Sequence, residues 1–456
     1  MTDKALADLT AATTPLTGAE KIYVTQAGAD RSILVSDISD YIGVVDGGGG
    51  GDGTVTSVNS VEPVGGDVSL TSASIPVVAT AVNITPAGST IDDWLEAIDT
   101  ALDTPVLNSD NLSGLTSKPT ARLNLGVSLP SPQGRLTLTA GVPVLSSDVT
   151  AATSIYYSPL IGEIVPIYDG TDWGVKSFIS SATDTTGLTL ALDSDSGHTG
   201  YHQSGKVFDL FVFLDGSTVR LGTGPAWSTV TARGTGASTT ELEMHRGVWV
   251  NKQSITVRFG TAAGNTVTLS ARRGTYVGSF AASANGQTEM TFRPTAAAGG
   301  TANKLYLWNA YHQVPMHALC RDSTDTWTYA TSTIRSANNS ASNRVGFVIG
   351  LGGGRISGRY CTYSRWSAST GAIVGVGYDS TTAFAAESFP NFLDINGASV
   401  VDAFPMVSPF DMNTADIGFH YIQALEWANS AATVTFFGDN ALPTLIQTGL
   451  AVSVHG

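Results

Sequence analysis

Two histidines and two aspartates crowd into ten residues of this chain, Asp193-Ser-Asp-Ser-Gly-His-Thr-Gly-Tyr-His202. Asp193 to Gly197 carries the D-x-D-x-G opening of a calcium loop, but the bidentate acid such a loop needs at its twelfth position falls on Ser204. A polar surface turn is the simpler reading. His198 and His202 stand four apart, a spacing that brings two imidazoles onto one helix face for a metal. Gly197, Gly200 and Gly205 work against a helix there. His312 and His317, five apart around Pro315, are no better placed. Neither a metal nor another cofactor is expected.

Glycan cleavage needs two carboxylates facing one cleft. Glu241 and Glu243 share a face of an expected strand and Glu163 lies on another, a pattern that solvated strands also produce. The chain has no G-x-S-x-G elbow, and Gly352-Gly-Gly354 runs into Arg355-Ile356 rather than the Lys-Ser/Thr of a phosphate loop. An enzyme is not expected. Sugar binding by aromatic side chains is the better prospect, because ring faces suit the apolar faces of sugars and Tyr and Trp add a polar handle. Tyr306 with Trp308, and Trp327 with Tyr329, alternate onto common strand faces; Tyr360 and Trp366 share parity. The competing reading is that these rings fill a β core.

The elements that must position such residues are strands. From Gly134 onward short β-prone runs are separated by Gly/Asn/Asp turns. They include 136–138, 154–157, 163–168, 173–179, 206–214, 241–245, 247–250, 254–259, 303–309, 344–349, 355–366 and 433–437. Residues 419–427 read equally as strand or short helix. Such a pattern indicates sandwiches or a β-rich composite.

The front of the chain is different. Residues 1–130 hold 3 of the 38 aromatic residues, and 16 acidic against 5 basic ones; the remainder has 22 acidic against 18 basic, for a net charge of −15 over 456 residues. That balance, with no Lys/Arg-rich run, argues against nucleic-acid binding. Cys320 and Cys361 are too few for a disulfide framework and read as buried free thiols. Met1-Thr-Asp-Lys4 has no apolar run behind it, so no signal peptide is expected, and no stretch is long enough for a spanning helix.

Within this front part, Ile22–Val24 and Ser32–Val35 read as a hairpin around Gln26-Ala-Gly28, followed by a short helix that Ser36 caps. Residues 46–53, six glycines between and beside aspartates, read as a flexible joint. Thr90 to Leu102 is the clearest helix, with Thr90 as N-cap and Asp92, Asp93 and Glu96 favoured by the helix dipole. Its apolar residues Ile91, Leu95, Ile98 and Leu102, spaced 4, 3, 4, form a short heptad-like seam. A helix this short needs a partner, either its own chain or other copies around an axis.

Two phrases in this region resemble segments that recur in the tail fibres of tailed bacteriophages. They are Gly53-Thr-Val-Thr-Ser-Val-Asn-Ser-Val-Glu-Pro-Val-Gly-Gly-Asp-Val-Ser-Leu70 and Asn111-Leu-Ser-Gly-Leu-Thr-Ser-Lys-Pro-Thr-Ala-Arg-Leu-Asn-Leu-Gly-Val127. Asn59-Ser60 stands where the first phrase usually has Asn-Gly. Leu9 to Val35 resembles the virion-facing segment of phage fibre proteins. Gly134 through Arg273, with Gly134-Arg-Leu-Thr-Leu-Thr139, Gly222-Thr-Gly-Pro-Ala-Trp-Ser228 and Arg233-Gly-Thr-Gly236, resembles a module of uncharacterised phage and prophage structural proteins of alphaproteobacteria; Leu307 to Pro315 extends it.

The resemblance implies a mainly β, elongated homotrimeric fibre located in the virion. Residues 1–45 attach to other virion proteins, 46–53 bend, and 54–130 form a thin shaft with short trimeric helices around the Ile91, Leu95, Ile98, Leu102 seam. Residues 131–456 form a β-sandwich-like head, with a possible division into 131–230 and 231–456. The implied function is adhesion to a host cell-surface receptor, polysaccharide among the candidates, with Tyr306, Trp308, Trp327 and Tyr329 as the rings to examine. A capsid fibre or decoration protein, and a tailspike depolymerase, are the alternatives. Partners are other copies and other virion proteins, with neither nucleic acid nor membrane insertion.

Overall fold

The computed structural model describes residues 21–26, 29–34, 128–234, 240–395, 403–414, 416–442 and 444–456. The Ile91, Leu95, Ile98, Leu102 seam, the 46–53 joint and both shaft phrases lie outside these residues. In the N-terminal unit the expected hairpin is present: Lys21–Gln26 pairs antiparallel with Ala29–Leu34, from Lys21 opposite Leu34 to Gln26 opposite Ala29.

From residue 128 onward the described chain is mainly β, built around three large sheets. The first has eight strands, with Val207–Asp215 at its centre between Thr218–Ala226 and Thr275–Ala281. The run Val-Phe-Asp-Leu-Phe-Val-Phe is buried on both faces, so it is apolar throughout except for Asp209 rather than alternating. Gly216, at φ 60°, lies in the two-residue turn that returns the chain into Thr218, where a primed turn calls for positive φ. Because this sheet interleaves 207–226 with 242–281, its strand pairing crosses residue 230, and the head does not separate there.

The second sheet, also of eight strands, carries Gly418–Ala428 between Arg344–Ile349 and Thr370–Tyr378. That central strand is the run 419–427 that the sequence leaves open. Hydrogen-bonded neighbours on both sides settle it as β, whatever its local propensity. The expected single strand 303–309 is two, Asn303–Leu305 and Leu307–Asn309. The first runs parallel to Arg344–Ile349 in this sheet, while the second pairs with Thr275–Ala281 in the first sheet. Tyr306 is the residue at which the chain changes sheets.

The third sheet has six strands. Pro315–Asp322, Thr448–His455 and Gly354–Trp366 lie side by side; Val434–Phe437 and Thr326–Tyr329 continue beyond the second half of Gly354–Trp366, and Phe404–Thr414 lines its other side. Its inward residues, among them Ile356, Tyr360, Phe410, Val452 and Val454, join Val374, Val376 and Ile422 of the second sheet in one hydrophobic cluster. At about 1.5–3 kcal/mol per fully buried large apolar side chain, this shared cluster is what fixes the third sheet's orientation. Its other face is therefore left outward. Pro405 and Pro409 sit on the edge strand, where a missing N–H costs no ladder bond. The two cysteines are free: Cys320 is buried and its thiol is pushed up to about 12 by burial, whereas Cys361 is only half-buried, on the outward face. No helix among the described residues is long and apolar enough to cross a membrane.

Candidate binding trough

The histidine–aspartate cluster is a structural knot. Asp193 is buried, and its Oδ2 receives Arg258 Nη1 at 2.9 Å and His198 Nδ1 at 2.9 Å, while Oδ1 accepts the Asp195 N–H. Arg258, itself 1 % exposed, also donates to the carbonyls of Thr199, Gly260 and Ala262, tying two loops to the carboxylate. The D-x-D-x-G acid thus has a guanidinium where calcium would sit. The turn is at the surface only for Ser194 to Gly197; Asp193 faces inward. His202 is fully buried, accepting the Asp193 N–H at Nδ1 (2.7 Å) and so carrying its proton on Nε2, which donates to Thr223 Oγ1 (2.9 Å). Both imidazole nitrogens are used, and burial pushes the group down to about 4. Among the described residues no group of three or more acids, histidines and cysteines is placed to hold a metal.

Of the candidate carboxylates, Glu243 is bonded to Arg272, Glu241 lies just before the strand Leu242–His245, and Glu163 lines a separate cleft of about 500 Å³ with Asp184. Of the four candidate rings, three belong to the core. Trp308 packs with Tyr276 and Val348, Trp327 donates its indole N–H to Glu426 Oε2 (2.8 Å) and stacks on Phe436, and Tyr329 bonds Thr333 and lies under the Arg335 guanidinium. At 3 %, 8 % and 9 % exposure these rings are not a sugar-facing surface. Tyr306 is half-buried, edge-on to Phe419, and Tyr360 and Trp366 are buried as well. Residues 326–329 do alternate, but the aromatic side faces inward, because large rings supply the area a β core needs.

Among the described residues, the outward face of the third sheet is open to a ligand. Register lines up Asp411, Ser357, Ser453 and His317 in one row across four strands; Pro409, Arg359, Ala451 and Leu319 in the next; and Val407, Cys361, Gly449 and Arg321 in the third. Thr448–His455 therefore turns Gly449, Ala451 and Ser453 outward, residues with almost no side chain, between two strands that present Arg359, His317, Leu319 and Arg321. The result is a trough of about 350 Å³ along the Thr448–His455 strand, walled by Arg359 on one side and by His317, Leu319 and Arg293 on the other. Gly358 lies under it, where a Cβ would run into the Ala451 carbonyl oxygen.

Arg293 and His317 also line an adjoining cleft of about 570 Å³, whose wall includes Arg135, Leu145, Phe292 and Val314. Arg135 is buried and donates to the carbonyls of Pro143, His312 and Gly456. Burial pushes its pKa down to about 10, so it is still charged at neutral pH. Asp148, the acid of this cleft, is engaged by the backbone N–H groups of Phe292 and Arg293. Tyr363, 36 % exposed and two residues along from Cys361 on the outward side of Gly354–Trp366, is the ring that borders this face.

No protein-family model and no curated protein matches the chain. Among solved structures it is similar to the infectious bursal disease virus Gx strain structure (9 % identity, 72 % of this chain and 73 % of that chain covered, TM-score 0.19). It is also similar to the insecticidal delta-endotoxin Cry8Ea1 from Bacillus thuringiensis (10 % identity, 71 % and 51 % covered, TM-score 0.15) and to the mosquito-larvicidal Cry4Aa toxin from the same bacterium (8 % identity, 73 % and 55 % covered, TM-score 0.16). At these TM-scores the likenesses say nothing about fold or function.

Proposed function

We propose that this chain is a virion fibre protein of a tailed phage, a homotrimer whose C-terminal β head adheres to the host surface. The shaft phrases at 53–70 and 111–127 support the fibre, and one structural observation carries the adhesive role: the open trough on the third sheet. Apart from Arg293, which lies between strands, it sits on strands and offers guanidinium, imidazole, hydroxyl and aliphatic contacts. The residues lining it include no carboxylate, so it has the means to hold a sugar chain but not the acid pair that two-carboxylate hydrolysis requires. Adhesion then works through multiplication: weak contacts by three heads gain from the effective concentration that tethering provides.

Two measurements on the full chain test this. Light scattering in solution should give three times 47.2 kDa, and fluorescently labelled protein should co-sediment with at least one strain in a panel of alphaproteobacteria. A monomer that sediments with none of them sinks the proposal. Release of oligosaccharides from host polysaccharide would replace it with a depolymerase.

A further inference from the structure

The outward face of the third sheet is basic although the chain is acidic. Gly354–Trp366 presents Arg355, Arg359 and Arg365 on this side, Pro315–Asp322 presents His317 and Arg321, and Arg293 stands at the edge of the trough. Arg355 is engaged by Asp411. Among the described residues Arg293, Arg321, Arg359 and Arg365 form no ion pair with a carboxylate, in a protein of net charge −15. Arg359 touches the Cys361 thiol and Arg365 lies over the Phe437 ring at 5.4 Å, so each is steadied without being neutralised. The Nε of Arg321 is buried with no hydrogen-bond partner. Successive outward positions on a strand are about 6.8 Å apart, so Arg359 to Arg365 spans about 20 Å with Tyr363 between them.

We propose that this face binds an acidic polysaccharide, laid along the trough floored by Ala451 and Ser453, with its anionic groups on Arg293 and Arg359 and one sugar ring against Tyr363. The inference rests on the adhesive reading above and supplies its ligand chemistry. A guanidinium presents a planar fork that matches a carboxylate or a phosphate bidentately, which a neutral sugar does not exploit. The small-residue floor lets a chain of pyranose width sink between the two arginine-bearing walls. A nucleic acid fits less well: it needs a continuous phosphate track and a series of stacking platforms, whereas among the described residues Tyr363 is the exposed tyrosine ring at the outward positions of these strands. A short run of spaced anions feels mainly the local guanidinium groups, since charges beyond about 8–10 Å are screened at physiological salt.

The test is calorimetric titration of the full chain with four probes: an oligogalacturonate of about eight sugars, a poly(glycerol phosphate) of similar length, a neutral dextran octamer, and a twenty-nucleotide oligothymidylate. The proposal expects the carboxylate polymer, the phosphate polymer or both to bind, affinity to fall as salt is raised, and the dextran and the oligothymidylate to bind at least tenfold more weakly. Which anionic polymer binds tells a uronic-acid chain from a phosphate-bearing one. Arg359→Gln and Arg293→Gln should each weaken binding about tenfold or more, Arg359→Lys should recover part of it, and Arg355→Gln, whose partner is Asp411, should change it less than threefold. Circular dichroism and melting of each variant identify any that fail to fold, and the Lys variant keeps the comparison within folded protein. Equal binding of dextran or oligothymidylate, no binding of either anionic polymer, or unchanged affinity in both Gln variants overturns it. Cell adhesion that survives both Gln variants refutes this ligand while sparing the adhesive reading. Arg359-dependent binding of the anionic polymer without any cell adhesion does the reverse.

Discussion

Acid should destabilise the head through one side chain, His202. In the fold its Nδ1 accepts the Asp193 N–H, and its Nε2 proton goes to Thr223. Protonating Nδ1 sets an N–H against an N–H in a site with no exposure, next to the Arg258 guanidinium. Asp193 favours the charged imidazole, but desolvation outweighs it, and the group falls from 6.5 to about 4. A histidine whose folded value is depressed contributes stability that is complete above the unfolded value and is lost as pH falls from 6.5 towards 4. At ~1.36 kcal/mol per unit, that displacement amounts to about 3 kcal/mol. With an unfolding entropy of roughly 2 cal/mol/K per residue over the head, about 3 kcal/mol corresponds to a melting-temperature drop of roughly 4–5 °C. The assay is calorimetric melting between pH 7 and pH 4.5, for the native chain and for His202→Gln, whose amide can occupy the same two partners. The variant should melt lower at pH 7 but lose less between pH 7 and 4.5. His198, Asp195 and Asp193 border the site and are present in both proteins, so the comparison of the two curves is centred on His202. Parallel curves refute the argument.

Three further outcomes follow from buried polar groups and close packing. Asp209→Ala removes the carboxylate that holds the Arg233 guanidinium bidentately at 2.7 and 2.9 Å beneath Trp227, leaving a buried charge alone; a loss of about 3–5 kcal/mol is expected, and the Asp209→Leu, Arg233→Met double variant should recover most of it in melting experiments. Asp322 has no exposure, and its carboxylate receives N–H groups from Gly299, Thr324, Asn338 and Asn343, so Asp322→Ala should cost more than 3 kcal/mol by the same measurement, against about 1–3 kcal/mol for one unsatisfied buried group. Gly358→Ala pushes a methyl into the Ala451 carbonyl beneath the trough; it should lower the melting temperature by several degrees and weaken oligogalacturonate binding, and an unchanged melt would show that the two strands separate freely.

The strand content of the head was legible because runs such as 206–214 and 344–349 combine β-branched and aromatic residues with Gly, Asn or Asp at their ends. The order of strands was not legible. Thr448–His455 inserts between partners about 90 and 130 residues away, and local pattern carries no record of long-range pairing. The trough was half visible. In Arg355–Trp366 the even positions hold Tyr360 and Trp366, while the odd positions hold Arg355, Arg359, Tyr363 and Arg365. Attention to rings selected the even set, which the core claimed. The signal for the other side was the period-2 recurrence of arginine, and likewise the Gly449, Ala451, Ser453 alternation against Leu450, Val452 and Val454. The Asp193 knot escaped because its partner Arg258 is 65 residues distant, so the sequence displays an acid loop without its cation.

The floor of the trough has a bearing on how the protein is made. Thr448–His455 leaves the ribosome after both strands that flank it, and until it emerges Pro315–Asp322 has no bridge to Gly354–Trp366. Long-range pairing of this kind is slow to form. A polypeptide cut short upstream of residue 448 lacks the floor of the trough and also Leu450, Val452 and Val454, which belong to the cluster shared with the second sheet. Synthesis thus acts as its own proofreader: only a chain translated through that strand completes the outward face of the third sheet.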